Sequence, residues 1–122
     1  MPDDAIRHAE VCKAMILERR IVGEALGFSL VENANFDILM ELYLARAERR
    51  PVFVWSLCAA ANTPHSTAYR KIKELIEAGL IVRHDDRKDR RRVEVELTES
   101  GIAMIERLVC RVAAIPWPSR KQ

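Results

Sequence analysis

Between Arg87 and Arg92 the chain places five basic side chains in six residues, with Asp89 the exception. Guanidinium and ammonium groups at that density suit the neutralisation of a row of phosphates, which displaces condensed counterions. Upstream, Ser66, Thr67 and Arg70 recur on one helical face, flanked by Tyr69 and Lys73. Small hydroxyls and a guanidinium are what base edges and phosphate oxygens require. Arg70 is the candidate for two-pronged reading of a guanine, and Tyr69 and Lys73 are candidates for positioning phosphate contacts. Thr63 and His65 adjoin this face, His65 as a packed or phosphate-facing ring rather than a base reader. The candidate nucleic-acid contacts are therefore Thr63, His65, Ser66, Thr67, Tyr69, Arg70 and Lys73, with Arg87, Lys88, Arg90 and Arg91 from the basic run. Catalytic chemistry has no comparable constellation. His8, His65 and His84 are scattered, and there is no Gly-rich phosphate loop, HExxH or nucleophile elbow. The chain is read as no enzyme.

The elements that must hold these residues lie between Val54 and Gly101. A short helix leads into the turn Ala61-Asn62-Thr63-Pro64. Asn62 tolerates a positive φ, Thr63 is a good N-cap, and Pro64 is pre-set for a first helical position. The spacing of Ala68, Ile72, Leu75 and Ile76 predicts a helix from His65 to Ala78 with that face inward, closed by Gly79. Leu80 to Arg83 then starts a strand, and Val93, Val95 and Leu97 alternate with Glu94 and Glu96 on its partner. The basic run becomes the tip of a β-hairpin, a wing, with Asp86 and Asp89 bracing it through some of its arginines. Thr98 caps a last helix entered through Leu97-Thr98-Glu99-Ser100-Gly101.

Outside this stretch, Ala5 to about Leu26 reads as one long helix with a broad apolar surface from Ile6 to Leu26. A second helix, about Ala34 to Ala47, puts Phe36, Leu39, Met40, Tyr43 and Leu44 on one face, with Asn33 or Asn35 as its cap. Pro51 to Val54 reads as a short strand pairing with the hairpin, and Ser56 as N-cap of a helix Leu57 to Ala61. Ile102, Ile105, Leu108, Val109, Val112 and Ala113 form a stripe on a final helix, about Glu99 to Ile115. Pro116-Trp117-Pro118 ends it, and Ser119 to Gln122 reads as a frayed tail. The first and last helices are read as unneeded by the reading core. Their apolar faces then belong to a homodimer interface, and a twofold dimer presents two reading helices to a pseudo-palindrome.

Asp86-Arg87-Lys88-Asp89-Arg90-Arg91, followed five residues later by Leu97-Thr98-Glu99-Ser100-Gly101, resembles the wing and exit of the MarR (multiple antibiotic resistance regulator) family. Ser66-Thr67-Ala68-Tyr69-Arg70, ahead of Leu75 and Ala78-Gly79-Leu80, is similar to that family's recognition helix. The likeness runs from roughly Phe36 to Leu108. The chain departs from the pattern at Pro64, where the family often has an acidic cap, and at Asn62, which replaces a turn glycine. Its C-terminal region is shorter than the family's two-helix dimerisation arm. The resemblance implies a mainly α fold with a small β-hairpin (α+β), a winged helix-turn-helix flanked by N- and C-terminal dimerisation helices. It also implies a transcription regulator binding double-stranded DNA, with Arg90 or Arg91 entering the minor groove. A single domain over 1–122 follows, its core at 34–98 and its dimerisation helices at 1–30 and 99–118. No cofactor is implied, and a small-molecule effector at the junction of outer helices and reader is left open.

Composition sets wider bounds. The 122 residues suit one domain, 49% apolar and 31% charged, with a net charge of only +2. Bulk charge therefore argues for nothing, and the placement of the bases carries the case. No run approaches a membrane span, and the acidic start Met1-Pro2-Asp3-Asp4 is unlike a secretory signal, so the expectation is cytoplasmic. Cys12, Cys58 and Cys110 have no zinc-ligand spacing and fit reduced thiols. Members of the resembled family sense oxidants through a first-helix cysteine; Cys12, among apolar neighbours, reads instead as a buried structural thiol. Trp55 and Trp117 are assigned to core or interface packing. The alternative function is a winged-helix protein-interaction module whose apolar outer helices bind another chain.

Overall fold

The computed structural model describes residues 2–116. Its elements run α1 (Pro2–Leu26), α2 (Ala34–Ala47), α3 (Val54–Ala60), α4 (His65–Glu77), β1 (Ile81–Asp85), β2 (Val93–Leu97) and α5 (Glu99–Ala113). This is the expected α+β winged helix-turn-helix, five helices and one antiparallel hairpin among the described residues.

Helix α2 is the central element, with α1, α3, α4, α5 and β2 all packed against it. The one-sided reading of this helix is corrected. Beside Leu39, Met40, Tyr43 and Leu44, the side chains of Ile38, Leu42 and Ala45 are also buried. A helix enclosed on nearly every side loses the amphipathic period that marks a surface helix. The carboxylate of Asp37 is enclosed with them, and Arg19 of α1 forks onto it at 2.9 and 3.4 Å. At the start of α2 the cap is Asn33, whose side chain accepts from the Phe36 amide at 3.3 Å.

The outer helices are part of this core, against the expectation that the reader could do without them. Cys12 of α1 and Ile105 and Val109 of α5 are fully or nearly fully buried, and Val11, Met15 and Ile16 pack around them. Arg7 donates to the Ala113 carbonyl at 3.1 Å, joining α1 to the end of α5. Ile6, Leu17 and Ile21 nevertheless stay exposed on α1. Trp117, Pro118 and the segment Ser119 to Gln122 lie outside the described residues.

Helix α3 begins earlier than expected, at Val54, and Ser56 is not its N-cap. The Ser56 hydroxyl sits inside the first turn, donating to the Phe53 carbonyl at 2.9 Å and accepting from the Phe53 amide at 3.3 Å. The short-strand reading of Pro51 to Val54 survives as a bridge between Phe53 and Glu94, reinforced by the Val95 amide donating to the Val52 carbonyl at 2.9 Å. In the hairpin, Ile81 faces Leu97 and Arg83 faces Val95, so Ile81, Val95 and Leu97 enter the core together.

Candidate nucleic-acid interface

The turn between α3 and α4 depends on Asn62, whose φ of +56° lies in the left-handed region that asparagine tolerates. The expected cap is corrected here. Pro64 is the N-cap residue, with φ −54° and ψ 144°, and its carbonyl accepts from the Ala68 amide at 3.0 Å. Because proline already fixes the extended entry, Thr63 is displaced from the capping position. Its hydroxyl oxygen is buried with no hydrogen-bond partner among the described residues, turned away from any surface contact.

Helix α4 then divides as the periodicity predicts. Ala68, Ile72 and Leu75 are buried, while Ser66, Tyr69, Arg70 and Lys73 form an exposed stripe at three- and four-residue steps. Thr67 is half-buried at its margin. His65 is exposed, so the packed alternative for its ring is excluded. Arg70 pairs with Glu74 at 3.1 Å, both well exposed. Such an i, i+4 pair contributes only about 0.3–0.5 kcal/mol, weak enough for the guanidinium to be handed to another acceptor. At the far end Gly79, at φ +79°, turns the chain out of the helix.

The hairpin tip is built by its aspartates. Asp86 Oδ1 accepts from the amides of Lys88 at 2.8 Å and Asp89 at 3.3 Å. Asp89 Oδ1 accepts from the Arg91 amide at 3.0 Å and from its Nε at 3.3 Å. Arg92 approaches Asp86 at 3.9 Å and stacks over the Phe53 ring, 5.2 Å from its centroid. The expected division of the wing is therefore present. Arg91 and Arg92 are engaged by aspartates, whereas Arg87, Lys88 and Arg90 have no ion pair among the described residues and are exposed. No hydrogen bond or ion pair joins the two candidate sets among the described residues; β1, packed on α4, connects them.

Residues 38–101 match the family of winged helix DNA-binding domains. The chain belongs to that family. DNA binding is thus the activity of the family to which this winged helix belongs. No curated protein matches the chain by sequence. Solved structures do. A mutant of MepR from S. aureus is 22% identical, covering 77% of this chain and 67% of its own, with a TM-score of 0.57. The transcriptional regulator Tm0710 from Thermotoga maritima is 28% identical over 84% of this chain and 68% of its own, TM-score 0.56. A MarR family transcriptional regulator from Silicibacter pomeroyi is 22% identical over 84% and 68%, TM-score 0.53. MepR has also been solved bound to ethidium bromide, at 22% identity over 82% and 70% with a TM-score of 0.53. The winged helix described here has the fold of these MarR-type regulators.

Three features around the reader were not anticipated. Trp55, assigned to core or interface packing, is 65% exposed on α3, which removes the core alternative. A cavity of about 620 Å³ lies where α1, α2 and α5 meet, lined by Val11, Met15, Phe36 and Val112 together with the charged Glu18 and Arg19. Asp37 receives the Asn62 side-chain amide at 3.3 Å besides Arg19. Burial raises the Asp37 carboxyl pKa, and the Arg19 and Asn62 donors offset only part of that rise. Burial also pushes the Cys12 thiol up to about 12, with the Glu41 and Glu48 carboxylates adding to the rise. That is opposite to what a reactive sensor thiol needs. No helix among the described residues is long and apolar enough to cross a membrane, and they hold no group of three or more metal-ligating side chains.

Proposed function

We propose that this chain is a transcription regulator that binds double-stranded DNA sequence-specifically as a homodimer. In this reading α4 lies in the major groove and the wing tip reaches the minor groove. The observation that carries it is the pairing of two surfaces: an exposed Ser66–Tyr69–Arg70–Lys73 stripe and a braced tip with Arg87, Lys88 and Arg90 unpaired. Arg70 reads a base, Tyr69, Lys73 and His65 position on phosphates, and Ser66 and Thr67 contact the groove edge. Arg90, unpaired where Arg91 is held by Asp89, is the better groove-entering side chain. Helices α1 and α5, whose inner faces complete the core, form the dimer contacts through their exposed faces on either side of the reading segment 34–98, and a pseudo-palindromic operator follows from the twofold axis. The apolar cavity between α1, α2 and α5 is the place for a small-molecule effector, consistent with ethidium bromide bound to MepR. The protein acts in the cytoplasm, without a cofactor and without catalysis.

Titration against random-sequence duplex at low and moderate salt, with a sizing run beside it, tests this reading. Dimeric mass and affinity that drops steeply with salt are expected, because each neutralised phosphate releases counterions. The exposed Ile6, Leu17 and Ile21 of α1 favour one other reading, a winged-helix module that docks another protein. Absence of duplex binding at low salt would select it.

A further inference from the structure

We infer that Arg19, Asp37 and Asn62 form a positioning chain through which α1 holds the turn that sets the recognition helix. The inference rests on the DNA-reading assignment for its consequence, though not for its geometry. Arg19 Nε donates to Asp37 Oδ1 at 2.9 Å and its Nη2 to Oδ2 at 3.4 Å, while Asn62 Nδ2 donates to the same Oδ2 at 3.3 Å. One carboxylate on α2 thereby joins the first helix to the left-handed residue between α3 and α4. The Asp37 side chain is only 4% exposed and that of Arg19 13%. Asp37 is the one charged residue buried among the described residues. In such an enclosure a carboxylate holds its donors firmly, because an unpartnered charge there is strongly disfavoured.

Asn62 gives this arrangement its meaning. A turn that needs φ of +56° is satisfied most simply by glycine, which carries no side chain to tether. Asparagine tolerates the same φ and adds a carboxamide, and here that carboxamide is directed at Asp37. The peptide carrying Asn62 leads through Thr63 to Pro64, the N-cap of α4, so a shift at Asn62 re-aims Ser66, Tyr69 and Arg70. Arg19 and Asn62 do not bond each other; each reaches the other only through Asp37. Arg19 also lines the cavity between α1, α2 and α5, beside Glu18, so the cavity borders the same chain.

The test is a four-variant comparison of wild type, Arg19→Gln, Asn62→Gly and the double variant. Amide hydrogen exchange is read in the free protein at Ala61 and Ala68, the hydrogen-bonded amides that flank the turn, and affinity is read on a selected duplex. Asn62→Gly retains the backbone conformation and removes only the tether. Arg19→Gln is expected to raise exchange at the turn about tenfold and to weaken duplex binding by a similar factor. On the Asn62→Gly background the same Arg19 change adds nothing to either. Arg19→Lys, which keeps a cation over Asp37, recovers most of the loss. Equal Arg19 effects in both backgrounds overturn the inference, since that is what general destabilisation of α1 produces. So does unchanged exchange at the turn in folded Arg19→Gln. If Arg19→Gln melts below the assay temperature, Asp37→Asn replaces it in the same comparison. A wild type that binds no duplex defeats the DNA-reading assignment, while the exchange arms still decide the chain.

Discussion

The Thr98 hydroxyl donates to the carbonyl oxygen of Gly79 at 2.6 Å and accepts from the Gly101 amide at 3.1 Å. One side chain thus caps α5 and fastens the exit of α4, and the Thr98 amide adds a bond to the Leu80 carbonyl at 3.0 Å. Thr98→Val, close in shape but without the hydroxyl, is expected to lower unfolding stability by about 1–2 kcal/mol. Thr98→Ser recovers most of it. Urea unfolding of the three proteins checks both.

Gly101 lies in the first turn of α5 against the start of the hairpin. A β-carbon there would collide with the carbonyl oxygen of Leu80 and press on the Leu97 side chain. Glycine to alanine inside a helix ordinarily stabilises by about 0.5–1 kcal/mol. At Gly101 the sign reverses, and Gly101→Ala is expected to destabilise by about 1–3 kcal/mol, as overpacking does. A thermal melt reads the sign directly.

In the wing, charge and geometry make opposite forecasts. Removing Asp86 takes a negative charge from beside the proposed phosphate path, yet it also frees the amides of Lys88 and Asp89. Asp86→Ala is expected to weaken specific binding despite its more favourable charge. Arg87→Ala, Lys88→Ala and Arg90→Ala each reduce the salt slope by about one on every sequence. Arg70→Ala instead relaxes discrimination by about 1–3 kcal/mol at one base pair. Competition titrations at several salt concentrations separate the three behaviours, and a uniform loss for Arg70→Ala would remove it as base reader.

The thiols are ordered by burial. Cys110 is exposed, whereas Cys12 and Cys58 are buried. Native protein is expected to expose one fast-reacting thiol, Cys110, with Cys12 reacting only on unfolding. The Cys12 pKa of about 12 stands above its unfolded value of 9.0. The folded state therefore keeps the proton longer than the unfolded state does. Its contribution to stability is complete below pH 9.0 and is lost as pH climbs towards about 12. Denaturant midpoints in wild type and Cys12→Ala across that window test it, since the variant should lack this share of the decline.

Leu17 and Ile21 are each 55% exposed, one turn apart on α1. Replacing both by Glu is expected to convert the proposed dimer to a monomer with unchanged helicity. An unchanged mass would move the dimer contact to another face.

Much of this molecule was legible because its chemistry is periodic or local. Ala68, Ile72 and Leu75 mark one face of α4, and Val93, Val95 and Leu97 alternate along β2. The aspartates among the wing arginines announce bracing. What escaped notice depends on the third dimension. Enclosure of α2 on nearly all sides erased the period that would have exposed Ile38 and Leu42 as core. Asp37 is an ordinary surface residue by type, and only the arrival of Arg19 and Asn62 from distant segments makes its burial tenable. Local preference misled at two caps, where Pro64 displaced Thr63 and Phe53 displaced Ser56. The exposure of Trp55 runs against the usual fate of a large aromatic ring and had no local sign.

A wing whose turn is already closed by Asp86 and Asp89 arrives at its target with its shape fixed. A floppy basic loop would have to surrender conformational freedom on contact, an entropic cost that offsets part of the free energy gained from the phosphate contacts. Here that ordering is completed during folding, so on the proposed DNA-binding reading encounter would be governed by diffusion and electrostatic steering rather than by loop rearrangement. On that reading, the acids that dilute the charge of the wing are what would make it quick.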